Sequence, residues 1–261
     1  MAFFEMKYHS DALGIGVSVN VILPEKAKTL IGMTANGEET YKTLYLYHGL
    51  SDDHSIWMRR TSIERYAADR GIAVVMPSVG RSWYTDTAYG AAYYTFVTQE
   101  LPAVCRGFFR GMSDRREDNM VAGLSMGGYG AVKVALSRPD LFFGAASLSG
   151  ALDVASFPTE WMGAEWRGVF GPSLQTLADL RGTEHDLFHL AETCRRENQA
   201  LLPRLYMWCG DDDFLLSQNH AFCRHLDTLG IPYRYDQSEG DHAWHWWDLH
   251  IRTALDYLLA P

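Results

Sequence analysis

The sequence lacks the cysteine patterns of metal-binding and disulfide-rich proteins. Its four cysteines are too few and too widely spaced for a C-x-x-C metal motif or a disulfide scaffold; they are Cys105, Cys194, Cys209 and Cys223. We therefore interpret all four as free thiols. We expect neither a metal nor a cofactor.

Long apolar runs and an excess of basic charge are also missing. No stretch is long and apolar enough for a transmembrane helix, and Glu5 lies where a secretory signal would have its apolar core. Acidic residues outnumber basic ones by 32 to 23, which gives a formal net charge of −9. This balance argues against polyphosphate partners. We expect a cytoplasmic protein that neither inserts into a membrane nor binds nucleic acid.

What the sequence does contain is an alternation of apolar strands and helices. A length of 261 residues with 47% hydrophobic side chains suits a single domain over residues 1–261. Strands such as Thr43–Tyr47 are apolar on both faces, as in a central, mainly parallel sheet. Helices are predicted over residues 55–70 and 93–111, the second kinked or broken at Pro102. The sequence thus predicts an α/β fold whose sheet is flanked by helices.

The segment 149–199 has little strand signal. Trp161, Trp166 and Phe170 lie in it among glycines. It follows the sixth predicted strand, and we interpret it as a helical insertion over the sheet that could serve as a cap.

A glycine-flanked serine is the first candidate for chemistry. The segment Gly123-Leu124-Ser125-Met126-Gly127 matches G-x-S-x-G between a predicted strand and a predicted helix. Such a bend holds a serine hydroxyl above the sheet as a nucleophile, whereas the alternative is a loop serine between glycines. The Met126 amide, at the start of the helix, is predicted to stabilise an oxyanion. The Leu50 amide, in the loop after an earlier strand, is the predicted second donor, with His48 beside it in a structural role.

A general base and an acid should follow later strands. His242 comes after the last predicted strand and precedes a helix that begins near Trp244, whereas the competitors His245 and His250 fall within that helix. For the acid, three adjacent candidates follow the strand Leu205–Cys209: Asp211, Asp212 and Asp213. Spacing alone does not choose among them. Alternatively, the three aspartates could form a cation site, although the sequence has no second cluster of oxygen ligands to accompany them.

Together these motifs resemble the esterase D and S-formylglutathione hydrolase-like group of the α/β-hydrolase superfamily, and most of all its bacterial tributyrin esterases. The resemblance covers nearly the whole chain and rests on the segments 48–51, 82–86, 100–102, 123–128, 213–215 and 240–244. It implies the α/β-hydrolase fold, Asp213 as the acid, His242 as the base, and the Leu50 and Met126 amides as an oxyanion hole. Ser51-Asp52 stands where S-formylglutathione hydrolases carry Thr-Cys, a departure from their pattern.

The expected activity is that of a serine carboxylesterase that hydrolyses short-chain acyl esters through an acyl-enzyme. The expected partner is a small acyl ester, and self-association into a homo-oligomer stays open. Four aromatic residues are candidates for the pocket wall: Trp83, Tyr84, Trp161 and Trp244. The alternatives are a thioester hydrolase such as an S-formylglutathione hydrolase, an acyltransferase of the same family, and a noncatalytic binding protein with this fold.

Overall fold

The computed structural model describes residues 1–25, 40–158, 160, 163 and 165–260. These residues form an eight-stranded sheet in the order β1-β2-β4-β3-β5-β6-β7-β8. The strands are β1 (Ala2–Ser10), β2 (Ile15–Leu23), β3 (Thr43–Tyr47), β4 (Ala73–Pro77), β5 (Asn119–Leu124), β6 (Gly144–Leu148), β7 (Arg204–Gly210) and β8 (Tyr233–Ser238).

The sheet is parallel except at one edge. β1 and β2 form an antiparallel hairpin, and β2 pairs antiparallel with β4. From β4 through β3, β5, β6 and β7 to β8, all neighbours are parallel. The residues of β3 to β6 are buried on both faces, as their apolar sequences predict. The predicted mainly parallel sheet is therefore confirmed.

Helices cover both faces of the sheet. They are α1 (Ile56–Arg60), α2 (Ile63–Arg70), α3 (Tyr93–Thr95), α4 (Leu101–Phe108), α5 (Met126–Ser137), α6 (Glu165–Phe170), α7 (Leu187–Glu197), α8 (Leu216–Leu229) and α9 (Trp244–Leu259). One apolar core lies between the sheet and α1, α2 and α9. The other lies under α3 to α8. No helix within the described ranges is both long and apolar enough to pass through a membrane.

The helix predicted over residues 55–70 is instead two helices, α1 and α2. The Thr61 hydroxyl donates to the Trp57 carbonyl at 2.6 Å, and the Ser62 amide donates to Asp248 of α9 at 2.8 Å. At this point, side chains form hydrogen bonds with backbone groups that would otherwise bond within a helix. The predicted helical stretch is thus confirmed, but for this reason it is divided into two helices.

Pro102 does not break its helix. A π-helical turn, Phe96–Glu100, joins α3 to α4, and Pro102 lies in the first turn of α4. The Leu101 amide donates to the Phe96 carbonyl, five residues back, so an irregular turn within the continuous helix accommodates the missing proline N–H. The wider turn before it takes the place of the expected break.

After β6 the chain forms the helical insertion that the sequence predicts. It contains α6, α7 and the 3-10 turns Val154–Ser156, Leu177–Leu180 and Gln199–Leu201. Trp166 and Phe170 are buried in it. Arg181 ties its turns together, since its guanidinium lies 2.6 Å from Asp153 and 3.4 Å from Asp186. The four cysteines are free thiols, as predicted, and all are buried.

Candidate active site

The candidate site lies at one edge of the sheet. β3, β5, β6, β7 and β8 are consecutive neighbours and all parallel. Because the carboxyl ends of parallel strands lie at the same edge, the segments that follow these five strands meet there. Each of them carries a residue of the site described below.

Ser125 occupies a strained bend between β5 and α5. Its backbone has φ 53° and ψ −118°, a conformation that L-residues rarely adopt. The bend can be this tight because neighbouring positions lack side chains: a Cβ at Gly123 would lie 2.3 Å from the Gly127 carbonyl oxygen. The Ser125 amide donates to the Leu148 carbonyl at 3.0 Å, which anchors the bend to β6. The Ser125 side chain therefore projects from a fixed backbone.

Gly127 sets how closely α5 approaches β3. A Cβ at this position would lie 2.5 Å from the Tyr47 carbonyl oxygen and 2.7 Å from that of His48. Since backbone atoms cannot yield as a flexible side chain can, Gly127→Ala is expected to lower the free energy of unfolding by about 3 kcal/mol. Urea denaturation would measure the loss.

Gly107→Ala is the matched control for that substitution. Gly107 is exposed in α4, and a Cβ there would meet no described atom within 4 Å. Alanine favours a helix over glycine by up to about 1 kcal/mol, so this variant should be as stable as the wild type or more so. An equal denaturation midpoint for Gly127→Ala and the wild type would contradict the packing argument.

His48 holds the loop after β3. Its Nδ1 donates to the Gly49 carbonyl at 2.7 Å, and its Nε2 accepts the Val79 amide at 3.0 Å. Burial lowers the pKa of His48 to about 4, so the ring is neutral near pH 7. The Tyr84 hydroxyl donates to the His48 carbonyl at 2.9 Å. The structural role predicted for His48 agrees with these contacts.

The loop after β3 brings Leu50 next to the serine bend. A Cβ at Gly49 would lie 3.8 Å from Ser125 Cβ, so the two segments almost touch. Within the described part of the chain, neither the Leu50 amide nor the Met126 amide has a hydrogen-bond acceptor. Met126 is also the first residue of α5, where the helix dipole favours negative charge. Both predicted oxyanion donors are thus available beside Ser125.

Asp213 and His242 are joined across β7 and β8. His242 Nδ1 lies 2.9 Å from Asp213 Oδ2 and 3.1 Å from Oδ1. Asp213 is buried, and its Oδ1 also accepts the Leu215 amide at 2.9 Å. Burial acts to raise the pKa of Asp213, but the hydrogen bonds from His242, Leu215 and Ser149 outweigh it and hold the pKa below its usual value. Asp213 therefore stays ionised and faces His242.

The three adjacent aspartates separate in the fold. Asp211 is exposed and accepts a hydrogen bond from the side-chain amide of Gln237 at 2.7 Å. Asp212 is exposed too, and of the three only Asp213 is buried. Among the described residues, no group of three or more acidic, histidine or cysteine side chains could hold a metal ion. Of the three, Asp213 alone contacts His242.

The competing histidines lie elsewhere. His245 and His250 are within α9, as predicted. His250 stacks on Trp208 with ring centroids 4.0 Å apart, and His245 is exposed. Neither is hydrogen-bonded to Asp213 in the described part of the chain.

The predicted pocket aromatics have different surroundings. Trp83 and Tyr84 are buried, Trp83 against Tyr129 and Tyr84 stacked on Tyr47. Trp244 is half-buried and packs edge-on against Trp57. Trp161 lies outside the described residues. Contact between these four residues and the substrate therefore stays a prediction.

Three further residues near His242 were not predicted as site residues. Phe214 is 59% exposed, and the centroid of its ring lies 4.6 Å from that of the His242 imidazole. The Trp247 ring packs edge-on against the same imidazole, with the two centroids 4.9 Å apart. The indole of Trp247 donates to Ser149, which follows β6. Phe214 lies within the segment 213–215 on which the resemblance rests, and for Trp247 the aromatic character was the only available signal. Ser149 had none.

The fold is that of the α/β-hydrolases, and a serine on a strained strand-to-helix bend is typical of serine hydrolases with that fold. The esterase family model matches residues 10–258. The chain belongs to this family, which confirms the prediction of a carboxylic ester hydrolase.

Individual relatives match the chain along nearly its full length. An acetyl esterase of Caldicellulosiruptor saccharolyticus is 31% identical over 99% of this chain and 98% of its own. A fluorophosphonate-binding serine hydrolase of Staphylococcus aureus, solved with substrate bound, is 35% identical over 100% of this chain and 99% of its own, with a TM-score of 0.87. An S-formylglutathione hydrolase of the same organism is 35% identical over 99% of both chains, with a TM-score of 0.84. The resemblance to the esterase D and S-formylglutathione hydrolase-like group is therefore confirmed.

Proposed function

We propose that the protein is a carboxylesterase for short-chain acyl esters in which Ser125 is the nucleophile, His242 the base and Asp213 the acid. The observation that carries the proposal is the hydrogen bond of His242 Nδ1 to buried Asp213 at the sheet edge where Ser125 occupies its strained bend. This bond leaves His242 Nε2 as the nitrogen that can take a proton from serine.

Acylation is the first half of the reaction. Ser125 Oγ attacks the ester carbonyl carbon while its proton passes to His242 Nε2. The carbonyl oxygen becomes an oxyanion between the Leu50 and Met126 amides, and Asp213 stabilises the imidazolium. The tetrahedral intermediate then collapses, the ester C–O bond breaks, and the alcohol leaves with the proton from His242.

Deacylation repeats these steps with water. His242 takes a proton from water, whose oxygen attacks the acyl carbonyl, and the same amides hold the second oxyanion. The bond to Ser125 Oγ breaks, the serine recovers its proton from His242, and the carboxylic acid is released. An alcohol in place of water would give acyl transfer by the same route.

A short acyl chain is the proposed substrate feature. The acetyl esterase relative supports it, as does the predicted resemblance to tributyrin esterases. Phe214 and Trp244 are proposed to form part of the pocket wall, with Trp83 and Tyr84 behind it. Four buried free thiols are in keeping with a reducing compartment, and the cytoplasm is the proposed location.

Thioester hydrolysis is the second candidate, because an S-formylglutathione hydrolase is among the similar structures. Asp52 weighs against a glutathione thioester. Burial raises the pKa of Asp52, although the hydrogen bond that its carboxyl group accepts from the Gly49 amide acts to lower it. Its carboxyl group thus lies against the loop that carries Leu50. An ionised Asp52 would repel the carboxylates of glutathione.

A substrate panel tests the proposal. On p-nitrophenyl esters from acetyl to decanoyl, kcat/KM is expected to be highest for chains of two to four carbons and to fall about 10-fold or more by decanoyl, because a short pocket excludes longer chains. S-formylglutathione, assayed in parallel, is expected to be a poorer substrate. Equal rates along the series would refute the short pocket, and a preference for the thioester would favour the second candidate.

A further inference from the structure

The loop that carries Leu50 is held by hydrogen bonds to two successive carbonyl groups. The His48 carbonyl accepts the Tyr84 hydroxyl proton at 2.9 Å, and the Gly49 carbonyl accepts the proton of His48 Nδ1 at 2.7 Å. The Gly49 carbonyl and the Leu50 amide belong to one planar peptide group, in which the C=O and the N–H point in opposite directions. The direction of the Leu50 N–H therefore depends on how these two carbonyls are fixed.

The backbone at Tyr84 is strained. Trp83 has φ 53° and Tyr84 has φ 50°, so two successive residues lie in the left-handed region that side chains rarely adopt. Such strain persists only where the surrounding structure imposes the conformation, and it is common at functional sites. The Tyr84 amide donates to the Ser82 hydroxyl at 3.2 Å, which stabilises the bend. The bend places the Tyr84 ring against Tyr47, the last residue of β3, with ring centroids 4.4 Å apart.

The Tyr84 hydroxyl is fixed both in position and in protonation. A Cβ at Gly130 of α5 would lie 2.3 Å from Tyr84 Cδ2, so the absence of a side chain there makes room for the ring. Tyr84 is fully buried, and burial raises the pKa of its hydroxyl well above the usual value. The hydroxyl therefore keeps its proton and can donate it to the His48 carbonyl at any pH suited to an ester assay.

We infer that Tyr84 is a positioning residue, which aligns the Leu50 amide of the oxyanion hole by donating its hydroxyl proton to the His48 carbonyl. The inference rests on the proposed function, in which that amide stabilises an oxyanion. Such a donor is most effective when its direction is fixed before the charge develops. Without the hydroxyl, the peptide group that follows His48 can rotate more freely, and the next peptide group, which carries the Leu50 N–H, can rotate with it.

Tyr84→Phe tests the inference, because it removes the hydroxyl and keeps the stacked ring. We expect kcat on p-nitrophenyl butyrate to fall about 10-fold, less than the 100-fold or more that follows complete removal of an oxyanion donor. KM should stay within about 2-fold of wild type, because the bound ester carries little charge on its carbonyl oxygen. The inhibition constant of butylboronic acid, whose tetrahedral adduct with Ser125 places an oxygen in the oxyanion hole, should rise about 10-fold.

Tyr47→Phe is the matched control. Tyr47 is fully buried and stacks on the Tyr84 ring, but its hydroxyl has no hydrogen-bond partner among the described residues. The two substitutions thus remove the same group from adjoining rings, and only Tyr84→Phe breaks a hydrogen bond to the loop after β3. Tyr47→Phe should keep the wild-type kcat and inhibition constant. If a folded Tyr84→Phe variant matched it in both, the positioning role would be overturned.

A readout without turnover separates this inference from the proposed function. The ¹⁵N order parameter of the Leu50 amide is expected to be about 0.85 in the wild type and in Tyr47→Phe, and to fall below about 0.6 in Tyr84→Phe. That of Met126, which α5 holds, should stay unchanged; a fall at both amides would indicate general loosening and overturn the role. If the wild type hydrolysed no ester, the proposed function would fail and the order parameters alone would decide. A fall at Leu50 alone would support the role of Tyr84, and an unchanged value would exclude it.

Discussion

Replacing Ser125 with alanine is expected to lower kcat on p-nitrophenyl butyrate by about a million-fold, the scale seen when a serine hydrolase loses its nucleophile. The proposed acyl-enzyme cannot form without Oγ, whereas the oxyanion donors and the Asp213–His242 pair remain in place. The bend itself should persist, because alanine removes a single atom and the neighbouring glycines still permit close approach. Circular dichroism and the denaturation midpoint should therefore stay close to wild type.

Ser217→Ala is the control for that loss, since Ser217 is exposed in α8. It should keep full activity and bind a fluorophosphonate probe as the wild type does, while Ser125→Ala stays unlabelled. Wild-type turnover by Ser125→Ala would remove Ser125 from the mechanism. An inactive and unlabelled wild type would instead point to the noncatalytic binding protein.

Asp213→Asn is expected to lower kcat by about 10⁴-fold, because an amide can present an N–H to His242 and thereby favour the wrong imidazole tautomer. The side chain keeps its size, so packing changes little. Activity measured between pH 5 and 9 should stay low throughout. The pKa of Asp213 lies below its usual value, so in the wild type this carboxylate stays ionised over that whole range.

Asp211 and Asp212, which directly precede Asp213, provide the control substitutions. Asp211→Asn and Asp212→Asn alter exposed side chains that are not hydrogen-bonded to His242 in the described part of the chain. Both should keep kcat within about 2-fold of wild type, as is usual for surface substitutions. A larger loss for either of them than for Asp213→Asn would assign the acid differently.

The succession of strands and helices along the chain and the serine bend could be predicted because both depend on local sequence. β3 has the predicted bounds, Thr43–Tyr47, and α9 begins at Trp244 as predicted, since each is an uninterrupted apolar or periodic stretch with a clear boundary. The bend needs small residues at fixed positions around Ser125, and glycines are visible in a sequence. His242 could be predicted for a similar reason, because it lies between the last strand and a helix.

The remaining features depend on contacts between distant segments. Asp211, Asp212 and Asp213 look equivalent until β8 lies beside β7 and buries one of them. Ser149 meets Trp247 across 98 positions of sequence, and no pattern near either residue indicates the pair. The two helices between residues 55 and 70 likewise require Asp248 of α9 at the Ser62 amide. Such features follow from tertiary packing rather than from local propensity.

The position of His242 and Trp247 late in the sequence also bears on how the protein is made. A ribosome that has synthesised the chain as far as β7 has already produced the serine bend and the loop that carries Leu50, but not His242 or the indole that supports it. On the proposed roles, nascent chains that end before His242 lack the base and hydrolyse nothing. Hydrolytic competence would then arise only late in translation, and a premature stop codon ahead of α9 would yield an inert product.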